Sequence, residues 1–363
     1  VTPPEEPKFQ PEKYVVSGGK LEITGTSLMD DDAELTDKYG ETNANPYADK
    51  ADNNEIININ TNTMYKGDSV VYQVWLDTTK FTEKHLIQSV GITDDYDEEN
   101  LDLSVSDIKA YDGLTGKDVT DLFDITIEDG VIKATSKASV QKSLGDAEDT
   151  KVIDTTKLAF GRYYKFDIFT KIKDTAKDGV DIINTASQIV HQYNPISKTV
   201  TTPEKPTQKR VVNLPVQVQF NFTKKLEGRE LKAGEFTFVL KDKDGNVIET
   251  VSNDAEGNIK FSILEFKRGD EGTHIYHVEE VQGTEAGVEY DKMVATVGVT
   301  VTKEGKVLTL TTQMPEDTEF NNKVTPPTPP VTPPTPPTPV TPPTPVTPPT
   351  PEKPKGRELP NTG

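Results

Sequence analysis

The chain has 363 residues, 33% of them hydrophobic, which is long enough for two domains but too thin in apolar side chains for every part to be globular. Its 60 acidic against 40 basic residues give a net charge of −20, which repels nucleic acid and anionic lipid alike, so neither is expected as a partner. With no cysteine, disulfides, thiolate metal sites, thiol nucleophiles and thioester chemistry are excluded. No stretch approaches the ~20 consecutive apolar residues that cross a bilayer, so no membrane contact is expected of this segment. The chain opens Val1-Thr2-Pro3-Pro4 without a signal peptide and reads as a piece of a longer protein.

The first strand opens at Pro11-Glu12-Lys13-Tyr14-Val15-Val16. An acidic stretch from Met29 to Asn54 follows, fits neither the helical nor the strand period, and reads as an inserted loop. Val70 to Asp77 is an apolar strand ending in a carboxylate, and Tyr164, Phe166 and Ile168 share one face of another. The prolines from Asn194-Pro195 to Lys205-Pro206 predict a linker. Beyond it, Phe236, Phe238 and Leu240 line a strand, Asp244-Gly245-Asn246 turns it into Val247 to Val251, and Glu256-Gly257-Asn258 marks the next turn. From Val324 to Pro351 the chain repeats Val-Thr-Pro-Pro and Pro-Thr-Pro, which favours extended polyproline geometry with a reach on the order of 90 Å. The predicted fold is all-β: two immunoglobulin-like β-sandwiches in tandem, residues 1–205 and 206–324, then a Pro/Thr-rich stalk over 325–356 and a terminal signal over 357–363.

Alternation places charged residues where a core should be. Between Val216 and Leu226 the apolar parity is Val216, Val218, Phe220, Phe222 and Leu226, and Lys224 shares it, whereas Lys225 falls with Gln217 and Gln219. Glu280 shares parity with Tyr276 and Val278, and Asn322 with Phe320. A lysine and a glutamate in an apolar core must pair or change protonation state, because desolvation lowers a lysine pKa and raises a carboxyl pKa. A neutral amine beside an Asn carboxamide, with a protonated Glu hydrogen-bonded to that amide, can attack it, expel ammonia and leave an intramolecular isopeptide bond. Lys224-Lys225-Leu226-Glu227-Gly228-Arg229, Gly234-Glu235-Phe236-Thr237-Phe238, Tyr276-His277-Val278-Glu279-Glu280 and Glu319-Phe320-Asn321-Asn322 resemble the streptococcal pilin isopeptide-linkage domain over residues 209 to 324. That resemblance implies a bond between Lys224 and Asn322 with Glu280 as catalyst.

The same logic applied to the first domain selects Asp77 as catalyst, Asn184 as acceptor, since it shares parity with Val180, Ile182 and Ala186, and Lys13 as donor, since it alternates with Val15 whereas Lys20 alternates with Glu22. The run Thr93-Asp94-Asp95-Tyr96-Asp97-Glu98-Glu99-Asn100-Leu101-Asp102-Leu103, with Ile108-Lys109-Ala110 and Ile183-Asn184-Thr185-Ala186-Ser187-Gln188, resembles the C-terminal domains of streptococcal antigen I/II adhesins over residues 8 to 203. The resemblance implies a sandwich with a Lys-to-Asn bond assisted by an Asp, and structural calcium in some members. Residues 27 to 56 depart from that pattern and blur the register of the donor.

Asp94, Asp95 and Asp97 offer hard oxygen ligands for a structural calcium, against the plainer reading of a solvated acidic loop, and no cofactor is otherwise called for. Asp242-Lys243-Asp244-Gly245 is a hairpin turn, and the four histidines have no zinc spacing. Leu359-Pro360-Asn361-Thr362-Gly363, behind the Pro/Thr tract, resembles the LPxTG signal that sortase cleaves between Thr and Gly before joining Thr to peptidoglycan. The expected partners are thus sortase, peptidoglycan and an unspecified host or bacterial surface ligand. The expected location is the Gram-positive cell wall, with no multiple-turnover active site. The expected function is the stalk of a wall-anchored adhesin presenting an N-terminal binding head. The alternatives are a pilus subunit, for which no YPKN-like lysine motif is present, and a first domain that itself binds a host receptor.

Overall fold

A computed structural model of the chain describes residues 2–17, 59–145, 150–353 and 356. The inserted loop expected between Met29 and Asn54 and the sorting signal Leu359 to Gly363 lie outside the described residues. The all-β expectation holds: among the described residues the regular elements are strands and single turns of 3-10 helix.

The first sandwich is built from two antiparallel sheets. In one, Glu12–Ser17 pairs with Ser69–Asp77, which pairs with Tyr163–Ile172, and that strand carries Leu101–Asp102 and Ile108–Asp112 on its far side. In the other, Ala186–Asn194 pairs with Ile87–Asp95, followed by Val131–Ser136 and Phe123–Glu128. β-branched and aromatic residues dominate because they fill a pleated surface well. Tyr72, Val74 and Leu76 from one sheet, with Tyr164, Phe166 and Ile168, meet Val90, Ile92, Ile132 and Ala134 from the other in a single core.

The stretch expected as an interdomain linker is instead part of this sandwich. Thr199–Thr201 and Glu204–Pro206 pair along Ala186–Asn194, and Arg210–Asn213 pairs with Asp181–Asn184. The prolines are tolerated because these are short edge strands, where a missing N–H costs no ladder bond. The first core runs on to Leu214, and the second begins at Val216.

The second sandwich has one sheet ordered Val247–Ser252, Thr237–Asp242, Gly272–Glu280, Val294–Glu304 and Val307–Gln313. Opposite it lie Asn258–Lys260, Asn221–Glu227, Glu319–Val324 and Val288–Glu289. Asn221–Glu227 and Glu319–Val324, near the two ends of the domain, run side by side and parallel, with Lys224 opposite Phe320 and Leu226 opposite Asn322. The strand read as continuous from Val216 to Leu226 is split into Val216–Val218 and Asn221–Glu227, yet the chain stays extended enough across the gap for the parity to survive. Residues 325–353 form no strand and expose most of their surface.

The two sandwiches meet through a polar clamp. Arg268 Nη2 donates to the Gly179 carbonyl at 2.9 Å and pairs with the Asp181 carboxylate, and Tyr65 donates its hydroxyl to Glu265 at 2.8 Å. Asp181 N–H donates to Lys306 O and Leu308 N–H to Gly179 O, a bridge between backbones. Only glycine serves at 179: its φ is +74°, and a Cβ there would lie 2.1 Å from the Leu308 carbonyl oxygen.

Candidate functional site: two buried lysine, carboxylate and asparagine clusters

Period-2 geometry aims Lys224, Glu280 and Asn322 into the second core from three strands, two in one sheet and one in the other. They are 2%, 4% and 2% exposed, whereas the neighbours with opposite parity, Lys225, Glu279 and Asn321, reach solvent. Lys224 Nζ donates to Glu280 Oε1 at 2.9 Å, and Asn322 Nδ2 donates to the same oxygen at 2.7 Å. One carboxylate oxygen thus touches both the amine and the amide nitrogen. The Asp291 N–H donates to Asn322 Oδ1 at 2.8 Å and to Glu280 Oε2 at 3.0 Å. Because an N–H can meet only an oxygen there, it fixes which way the carboxamide faces.

The walls of this cluster are aromatic. Lys224 Nζ lies 4.7 Å from the Phe236 ring centroid and 5.7 Å from that of Phe238. Burial among them pushes the lysine pKa below its ordinary value, and the Glu280 hydrogen bond and charge oppose that push without cancelling it. The amine is therefore easier to deprotonate than a surface lysine. A solvent-open groove of ≈ 1030 Å³, lined in part by Asn322, Asp291 and Lys225, lies against the cluster.

In the first domain Lys13 and Asn184 come together, each with the parity expected of it. Lys13 Nζ contacts Asn184 Oδ1, and the two residues are 0% and 1% exposed. The carboxylate beside them is not Asp77 but Asp94, fully buried, whose Oδ2 accepts from Lys13 Nζ at 2.7 Å. Within Ser69–Asp77 the inward residues are Val70, Tyr72, Val74 and Leu76, so Asp77 belongs to the opposite face. There it caps the strand end, accepting from Gln10 N–H at 2.9 Å and from the backbone and hydroxyl of Thr79 at 2.8 and 2.6 Å. Asp94 carries the signal that would have found it: it shares parity with Val90 and Ile92 along Ile87–Asp95. Burial is again the largest influence on Lys13 and lowers its pKa, against the opposing charge of Asp94. The Tyr72 ring lies 4.9 Å from Nζ.

That placement also separates the three residues expected as calcium ligands. Asp94 points into the core while Asp95 is exposed on the opposite face, and Asp97 accepts two hydrogen bonds from the Asn100 side chain at 2.8 and 3.0 Å. Alternation keeps the first two apart. Among the described residues no group of three or more His, Cys, Asp or Glu side chains could hold a metal ion.

Two family models match the chain. Residues 48–204 match the cell surface antigen I/II C2 terminal domain, and residues 220–325 match the Spy0128-like isopeptide containing domain. The matches divide where the two cores divide. Lys224, Glu280 and Asn322 all lie within the second match, while Asp94 and Asn184 lie within the first and Lys13 precedes it. No curated protein sequence matches. Among solved structures the chain is similar to BcpA, the major pilin subunit of Bacillus cereus, at 17% identity over 72% of this chain and 65% of that one, with a TM-score of 0.31. It is also similar to the 35 kDa C-terminal fragment of the major pilin GBS80 of Streptococcus agalactiae, at 13% identity over 79% and 91%, with a TM-score of 0.34. The full-length major pilin SpaD of Corynebacterium diphtheriae gives 12% identity over 87% and 65%, with a TM-score of 0.31. The chain thus spans somewhat less than two thirds of the length of the Bacillus pilin.

Proposed function

We propose that the chain is a load-bearing stalk on a Gram-positive surface, made of two sandwiches that each close themselves with a Lys–Asn isopeptide bond. The observation that carries this reading is the single Glu280 oxygen bonded to both the Lys224 amine and the Asn322 amide nitrogen. A proton passes from Nζ to Glu280, and the freed lone pair attacks Asn322 Cγ. As the tetrahedral centre collapses, Glu280 hands that proton to Nδ2 and takes a second from the now cationic Nζ, the Cγ–Nδ2 bond breaks, and the departing ammonia carries the second proton away as ammonium. Glu280 ends as it began, so the reaction needs no external enzyme or cofactor and turns over once. Lys13, Asp94 and Asn184 supply the same three groups in the first domain.

The mechanical consequence follows from topology. Lys224 and Asn322 sit on the adjacent parallel strands near the domain's two ends, so a bond between them joins the chain's points of entry and exit. Tension then bypasses the sandwich between them. Beyond it, the Pro/Thr tract would act as a spacer, and sortase acting at Leu359 to Gly363 would join Thr362 to peptidoglycan, leaving the other end of the stalk to present a binding head. Assembly into a pilus uses the same internal bonds and is the alternative, as is receptor binding by the first domain.

The test is a protease digest of the purified chain. The reading expects one branched peptide joining the Lys224 and Asn322 segments and another joining those of Lys13 and Asn184, the first absent from Glu280→Ala. Linear peptides alone, with both lysines cleavable, would sink it. For the anchor, incubation with a sortase and a glycine or peptidoglycan acceptor should release Gly363, and Thr362→Ala should not react.

A further inference from the structure

The isopeptide reading leaves the developing negative charge on Asn322 Oδ1 to be accounted for, and the side chains of the cluster offer it no donor. We infer that the main-chain N–H of Asp291 is the oxyanion donor of the second domain, and that the Asp291 carboxylate is the brace that aims it. The inference rests on the Lys224–Asn322 bond proposed above and extends it to a residue outside that trio.

Three tethers hold the Asp291 peptide in place. Its Oδ2 accepts from Asn321 N–H at 2.8 Å, directly before the reacting Asn322, and its Oδ1 accepts from Met293 N–H at 2.9 Å. Its carbonyl accepts from Gln282 Nε2 at 2.8 Å, two residues beyond Glu280. The loop carrying Asp291 is thus bound to the strand that brings Asn322 and to the residue two beyond the end of the one that brings Glu280. Its N–H reaches Asn322 Oδ1 at 2.8 Å, where the carbonyl oxygen gains charge as Nζ adds to Cγ. The same N–H touches Glu280 Oε2, so it is shared in the resting state and can shift to the stronger acceptor as the oxyanion forms. By holding Oδ1, it turns Nδ2 toward Glu280 Oε1, the group that must protonate the departing nitrogen. A preorganised donor of this kind stabilises the transition state without reorganisation, and removal of one such donor slows acyl transfer by about 10²–10³.

The charge of Asp291 works in the other direction, since it helps hold Lys224 protonated. Removing the carboxylate for its charge alone would make the amine more reactive. A slower reaction on removal therefore isolates the aiming of the N–H.

The experiment starts from full chain recovered unfolded from inclusion bodies, refolded by dilution, and followed by the yield of the Lys224–Asn322 branched peptide over time. Asp291→Ala, which keeps the N–H and loses the brace, should slow linking about tenfold or more, and Asp291→Asn, which keeps an oxygen to accept from Asn321, should recover most of the rate. Asp291→Pro, which removes the N–H itself, should slow linking about 100-fold. Each substitution repeated on Lys224→Ala, where no bond can form, reads its effect on folding separately as a shift in thermal midpoint. Linking by Asp291→Ala at the parent rate overturns the inference even should the proline variant fail to fold. A parent chain that never links would instead overturn the isopeptide reading beneath it.

Discussion

The two clusters use the same three residue types, yet they are not equally prepared. In the second domain one carboxylate oxygen touches both amine and amide nitrogen, and a backbone N–H fixes the amide. In the first, Asp94 touches only Lys13, the Asn184 carbonyl oxygen faces the amine, and among the described residues neither Asp94 Oδ1 nor Asn184 Nδ2 has a hydrogen-bond partner. On the proposed mechanism, this site has to turn Asn184 Nδ2 toward Asp94 before an acid can reach the leaving nitrogen. The strands differ as well. Lys224 and Asn322 bridge neighbouring parallel strands near the ends of their domain, whereas Lys13 and Asn184 join the first strand to one followed by the whole of Ala186–Asn194 and its edge partners. Having the right residues in a core is thus one requirement, and holding the leaving group against its acid is another. The first bond should form more slowly on refolding.

The largest effect expected from breaking this comparison is the loss of a bond. Each proposed bond would close a loop of about 100 residues or more, so Asn322→Ala and Asn184→Ala should each lower stability by about 5 kcal/mol through loop entropy, read from urea denaturation. Equal stability of parent and variant would show that no loop had been closed. A sharper contrast separates Asp94 from Asp77. Asp94→Ala should abolish the first-domain bond, while Asp77→Ala should leave it intact and cost about 1–3 kcal/mol for the N–H groups of Gln10 and Thr79 left without their acceptor. A missing branched peptide in Asp77→Ala would reverse that assignment.

Smaller effects concern the clamp and the amines. Arg268→Ala removes the cation that Asp181 and Gly179 share and should weaken the coupling between domains by about 1.5–3 kcal/mol, seen as a broader interdomain distance distribution between spin labels. An unchanged distribution would locate the rigidity elsewhere. In the doubly unlinked Asn184→Ala/Asn322→Ala chain, Lys13 and Lys224 should keep the lowered pKa values that burial gives them in the parent fold. The unfolded chain then binds more protons than the folded one between those lowered values and the ordinary 10.5, so stability should rise with pH through that window and fall as pH drops through the folded values. The proposed bonds would leave amides at these positions in the parent, so the difference between the two chains should shrink as pH rises. A constant difference would mean that the buried amines do not titrate as described.

Much of this was legible in sequence because a strand's period is two. Parity alone separated Lys224 from Lys225, Glu280 from Glu279 and Asn322 from Asn321, and the structure puts each on the expected side. It also placed Lys13 and Asn184. Asp77 ends an apolar strand, which makes it look like a partly buried acid, but parity assigns it to the face of Val71, Gln73 and Trp75. Asp94 lay within an acidic run whose composition suggested solvent or calcium, and composition obscured a strand that turns alternate acids inward. The Asn194 to Pro206 stretch misled for a related reason: proline signals an edge as readily as a linker, and which one depends on a neighbouring strand the local sequence does not name. The Asp291 N–H left no trace in sequence at all, since it is a backbone group held by contacts with Asn321, Asn322 and Gln282, all distant in sequence or outside its loop.

The most direct test of the account is the intact mass of the purified full chain. Two self-closed sandwiches require a deficit of two ammonia masses from the value calculated for the sequence, one restored by Glu280→Ala and the other by Asp94→Ala. A full calculated mass would contradict the central claim and leave Lys13 and Lys224 as buried ion pairs.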